Sequence, residues 1–98
     1  MSVPVILNDD AQQEFDEAFD WYDARSAAKA AHFASSVRGV LRRIATNPRF
    51  YGLAVLDIRK AVVKSFPFCV YYYEESHRVV VVSVFHTSRD PAIWQGRR

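Results

Sequence analysis

Residues 69–86 read CVYYYEESHRVVVVSVFH, and this stretch decides the fold. Aromatic and β-branched residues fill Cys69–Tyr73 and Val79–Phe85, and the polar Glu74–His77 separates them, so the pattern predicts two strands joined by a hairpin loop. In the second strand both alternating sets are largely apolar: Val79, Val81, Ser83 and Phe85 on one side, Val80, Val82, Val84 and His86 on the other. A strand that is apolar on both sides is covered on both sides. Tyr71, Tyr72 and Tyr73 cannot all face one core, and at least one is expected to point outward.

Working upstream, Leu53–Lys64 mixes β-branched residues with charges and reads as one or two strands, Ile58–Val63 being the clearest part. Before it the period changes to that of a helix. Ala11, Phe15, Ala18, Phe19 and Tyr22 share one helical face, with Asn8 and Asp9 as caps and the end near Asp23–Arg25. Ser26 caps a second helix, whose face is Ala30, Phe33, Ala34, Val37, Leu41 and Ile44, and Asn47-Pro48 stops it. Two such helices joined by a few residues form an antiparallel hairpin. Val3–Leu7, with Pro4, reads as an edge strand. Downstream, Asp90-Pro91 opens a short terminal helix through Ile93 and Trp94. The predicted class is α+β, with an N-terminal strand, a helix hairpin packed on a mostly antiparallel sheet, and a short C-terminal helix. The hairpin covers one face of that sheet, and the other is expected to await a second polypeptide.

The chain has 98 residues, half of them hydrophobic and 24% charged, which makes one small globular domain spanning 1–98 and argues against disorder. Cys69, the single cysteine, excludes an internal disulfide and reads as a small core residue. No Cys/His cluster has zinc spacing and Gly39, Gly52 and Gly96 form no phosphate loop, so no cofactor and no metal are expected. Without an apolar run near the roughly 18 residues of a span, or a leader pattern, the chain is expected to be soluble and cytoplasmic, with no membrane partner. Charge is split along the sequence. Residues 1–24 hold seven acids and no Lys or Arg, whereas residues 25–98 hold all 13 Lys and Arg against four acids. Either the later part builds an anion-facing surface, or the acidic first helix pairs with the basic second one.

Taken in order, these pieces resemble the RelE/ParE toxin superfamily of bacterial type II toxin–antitoxin systems, over nearly the whole chain. The resemblance rests on Phe15-x-x-x-Phe19-x-Trp21-Tyr22, on Phe33-x-x-x-Val37 running to Ile44-x-x-Asn47-Pro48, on Ile58-Arg59 followed by Phe66-Pro67-Phe68-x-Val70-x-Tyr72, and on Val84-x-His86-x-x-Arg89-Asp90-Pro91-x-x-Trp94. The last is similar to the ending of the ParE-like branch. The resemblance implies a growth-inhibiting toxin of the kind involved in plasmid stabilisation, silenced by a cognate antitoxin whose C-terminal segment lies on its apolar surfaces. In that superfamily the target is DNA gyrase for ParE-like members, and messenger RNA on the ribosome for RelE-like ones.

An RNA-cleaving member needs acid–base groups and cations around the scissile phosphate. His86, Arg59 and Arg89 are the candidates, if the strands bring them to one sheet end. Against this, no tyrosine follows Tyr73, whereas the ribonuclease branch usually carries a C-terminal tyrosine or histidine. The expected reading is therefore gyrase inhibition by protein contact, with Arg59, Lys64, Tyr72, Arg89, Trp94 and Arg97 as the residues that meet target or antitoxin; a degenerate relative that only binds antitoxin is the remaining alternative. Each residue also has a plain structural role open to it. His86 can bond a neighbouring backbone group, Arg59 can bridge Asp57, Arg89 can cap the chain locally, and Trp94 can clamp its helix to the sheet.

Overall fold

The computed structural model describes residues 2–97. Its elements are β1 (Val5–Leu7), α1 (Asp9–Asp23), α2 (Ala27–Thr46), β2 (Leu53–Val55), β3 (Ile58–Val62), β4 (Phe68–Glu75), β5 (Arg78–His86) and α3 (Ala92–Gln95). They form a five-stranded sheet of order β1-β5-β4-β3-β2, in which β1 runs parallel to β5 and every other pairing is antiparallel. The α+β class and the predicted order hold, with Leu53–Lys64 resolving into two strands.

Local chemistry places the helix ends. Asn8 Oδ1 accepts the Ala11 N–H at 2.9 Å, and Ser26 Oγ accepts the Lys29 N–H at 3.2 Å, so each helix begins on a side-chain cap. Asp9 and Asp10 then sit on the positive end of the α1 dipole. Asn47 leaves the helical region (φ −146°, ψ 84°) and ends α2 ahead of Pro48. The strand turns are tight, and three non-glycine residues at them take the left-handed region: Leu56 (φ 50°), Ser65 (φ 72°) and Ser76 (φ 39°).

The hairpin of α1 and α2 lies on one face of the sheet. Phe33, fully buried, is the centre of that layer. Its ring meets Phe15, Tyr22, Phe66 and Phe68 at centroid distances of 5.1–5.6 Å. Ala61, Val70, Tyr72, Val79, Val81 and Val84 complete it from the sheet.

The opposite face corrects an expectation. Over β4 and β5 it does not wait for a second chain, because the C-terminal segment folds back and roofs it there, while Val62 of β3 stays exposed. Trp94 stacks on Tyr71 at 3.9 Å and 21°, and joins Ile58, Cys69, Val82 and Phe85 in a second buried cluster. Arg89 lies 5.6 Å from the Phe85 ring. Tyr71 and Tyr72 are both buried, on opposite faces, and Tyr73 is half-buried. Burial pushes the Cys69 thiol pKa up, in keeping with a packed rather than a reactive sulfur.

Trp94 is 2% exposed on a helix of four residues, so its ring holds the roof in place. Trp94→Ala is expected to cost about 3–5 kcal/mol of unfolding free energy in urea titrations. Trp94→Phe keeps a stacked ring and removes an indole N–H that is buried without a partner, so it is expected to cost much less.

Candidate functional site

An open groove of about 850 Å³ runs along α1 toward the start of α2 and the ends of β4 and β5. Ala18, Tyr22, Phe68 and Val84 give it an apolar floor, and Glu17, Trp21, Arg25, Lys29, His86 and Arg89 stand around it. Trp21 is 54% exposed, and the Arg25 guanidinium lies 3.6 Å from its ring centroid while donating to the Trp21 carbonyl at 2.8 Å. That places a large apolar ring and a cation together at the rim.

One wall of the groove is fixed by Glu14. β5 pairs with β1 only over Val79–Val81, so its outer edge is open from Val82 onward. Side chains finish that edge. Glu14 Oε1 accepts from the Val84 N–H at 3.2 Å and from Ser83 Oγ at 2.8 Å, and Arg97 donates to the Val82 carbonyl at 3.0 Å. Arg97 and Glu14 also bond each other at 2.9 Å, with side chains 15% and 10% exposed. Arg97 reaches Asp10 at 3.6 Å, and Arg89 lies 3.8 Å from Glu14 Oε2. Among the described residues, the ion pairs of α1 go to these two C-terminal arginines and none joins α1 to α2, so of the two readings of the charge split the pairing of the acidic helix with the basic one is not formed by ion pairs.

The proposed nuclease residues do not come together. His86 and Arg89 share the groove, but Arg59 does not reach it. Arg59 is opposite Tyr72 and His86 is opposite Phe68, on the two sides of β4 and about 13 Å apart along it. Arg59 instead donates to the Tyr51 carbonyl at 2.7 Å and holds the loop after α2. The Ser88 N–H donates to His86 Nδ1 at 3.1 Å, and Ser88 Oγ lies 2.7 Å from the same nitrogen, so Nδ1 is engaged by its own neighbour. The His86 ring is further held edge-on to Phe68 at 5.1 Å.

Three residues expected at a contact surface are structural. Tyr72 is fully buried and donates its hydroxyl to the Pro48 carbonyl at 2.7 Å. Trp94 clamps its own short helix to the sheet, the structural role open to it from the sequence, and Arg97 is committed to Glu14, Asp10 and the β5 edge. Lys64 is exposed in the turn after β3, and Arg89 is exposed at the groove. Glu14, Arg25 and Lys29 were missed as site residues. Trp21 had a legible signal, since it falls off the apolar face of its own helix.

Among the described residues, no group of three or more His, Cys, Asp and Glu side chains is placed to hold a metal, and no helix is long and apolar enough to cross a membrane. The family model described as the ParE toxin of the type II toxin–antitoxin system, parDE, matches residues 5–91. A chain of a solved structure described as the chromosomal ParDE TA system from P. aeruginosa superposes with a TM-score of 0.75 at 12% identity, covering 87% of this chain and 96% of that one. No curated protein matches the sequence significantly.

Burial of Tyr72 pushes its hydroxyl pKa up to about 12, against the smaller opposing pull of Arg59. The unfolded chain titrates that group near 10, so the folded state favours the neutral phenol and its stabilising contribution is complete below pH ~10. Stability is expected to fall as pH rises from about 10 through about 12. Tyr72→Phe should remove much of that slope in urea midpoints measured against pH, leaving the smaller contributions of Tyr22 and Tyr71, which burial also raises.

Proposed function

The chain belongs to the ParE toxin family of type II toxin–antitoxin systems, and from that premise we propose that it arrests growth by binding DNA gyrase and is neutralised by a cognate antitoxin seated in the groove beside α1. The observation that carries contact inhibition over RNA cleavage is the separation of Arg59 from His86 and Arg89. Phosphodiester cleavage needs a base, an acid and cations around one phosphate, and positioned acid–base groups contribute about 10²–10⁴-fold each. Here Arg59 holds a loop and the Nδ1 of His86 accepts from Ser88.

The antitoxin reading rests on the shape and chemistry of the groove. Its apolar floor suits the apolar face of a helix, and its rim of Arg25, Lys29 and Arg89 suits acids flanking that face. Trp21, half exposed at the rim, is the ring such a partner would cover.

Purified chain at micromolar concentration is expected to inhibit gyrase supercoiling of a relaxed plasmid, with inhibition relieved by the antitoxin. Primer extension on transcripts from arrested cells is expected to show intact messages. Unimpaired supercoiling together with new cleavage sites in messenger RNA would reverse the assignment.

A further inference from the structure

Between Asp23 and Asp57 the chain has no Asp or Glu, yet it carries Arg25, Lys29, Arg38, Arg42, Arg43 and Arg49. Two of these are occupied elsewhere: Arg25 is folded onto Trp21, and Arg49 bonds Glu74 at 3.0 Å. Arg38, Arg42 and Arg43 stand exposed on α2, and among the described residues none of the ion pairs reaches them. Arg43 donates one N–H to the Tyr51 hydroxyl at 3.2 Å and keeps its other donors.

Ala28, Ala31, Ser35, Arg38, Arg42 and Thr46 are all exposed and recur at spacings of three and four, so they form one stripe along the outer side of α2. The uncharged members are small, and the backbone of the helix is approachable there. At the end of the stripe Arg42, Arg43, Asn47 and Phe50 border a cleft of about 400 Å³. The Phe50 ring is 71% exposed.

We propose that this side of α2, continued into the Phe50 cleft, docks the phosphate backbone of a polynucleotide. The proposal stands independently of the groove beside α1 and of the gyrase reading. Arg38 and Arg42 are one turn apart, about 6 Å along the axis, so a single ribbon of phosphates meets both. Planar guanidinium forks bind phosphate oxygens in pairs. The negative end of the α2 dipole opposes this by the equivalent of about half a charge, which three full positive charges outweigh. Charge alone would also suit an acidic protein. A protein interface, however, relies on large anchors buried at its centre, and the middle of this stripe has none. Backbone binding needs only dispersed cations and side chains small enough for the strand to approach. Phe50 lies at one end, where it offers a surface for an unstacked base.

Fluorescence anisotropy with labelled duplex DNA of about 20 base pairs and a single strand of the same length, between about 50 and 200 mM salt, tests this. With three phosphate contacts, duplex affinity is expected to fall ~40-fold across that range. For Arg38→Ala/Arg42→Ala the fall is expected to shrink to ~4-fold, with weaker binding at low salt and an unchanged thermal midpoint. Neither guanidinium makes a hydrogen bond within the described chain, so folding is expected to survive. Arg78→Ala, which removes a cation already paired with Glu75, is expected to change nothing. Phe50→Ala distinguishes the source: a loss confined to the single strand assigns the cleft to an unstacked base, and no loss assigns the surface to duplex. Absence of binding at about 50 mM salt, or a double variant with the wild-type salt slope, overturns the proposal. So does a double variant that loses only a protein partner while its DNA affinity is unchanged.

Discussion

β5 is buried on both faces and needs hydrogen-bond partners on both edges, and the chain supplies only part of the second edge as a strand. β4 pairs with it along Phe68–Glu75, whereas β1 covers three residues. The donor and acceptor that follow, the Val84 N–H and the Val82 carbonyl, are met by Glu14 and Arg97. An unmade bond at a buried backbone group costs about 1–3 kcal/mol, so the two side chains stand in for missing strand. Because they are opposite charges in contact, each also offsets the burial of the other. Glu14 comes from α1 and Arg97 from the end of the described chain, so one pair joins the helix layer, β5 and the C-terminal segment.

That junction decides which surfaces are left for partners. With Arg97 anchored and Trp94 stacked on Tyr71, the part of the second face formed by Ile58, Cys69, Tyr71, Val82 and Phe85 is closed from within, while Val62 toward the β3 side stays exposed. Two open surfaces border the helices. One is the groove beside α1, apolar below and charged at the rim, and the other is the outer side of α2 with its arginines. Both can be covered and uncovered without unfolding, as the proposed function requires of surfaces that meet an antitoxin or a target.

Much of this was legible in residue order. Asn8 and Ser26 as caps, Asn47-Pro48 as a stop and the double-sided valine run of β5 each rest on local chemistry. The element order and the sheet follow from them, and so did the need to cover both faces of β5. What covers the second face was legible only in part, as the option that Trp94 clamps its helix to the sheet. A helix of four residues has no period to read, and nothing local says that Trp94 reaches Tyr71. Tyr72 and Arg59 were misplaced for a related reason: the register of β3 against β4, which sets Arg59 beside Tyr72 and away from His86, depends on tertiary pairing. Glu14 is one of seven acids in the first 24 residues, and only the place where β1 stops singles it out.

Amide hydrogen exchange at Val84 in the isolated full-length chain tests the central claim most directly. If Glu14 and Arg97 close the β5 edge without help from another molecule, the Val84 amide is protected nearly as strongly as the β4–β5 ladder and opens only with global unfolding. Rapid exchange at Val84 beside a protected ladder, with protection appearing only when a partner protein is added, would contradict it.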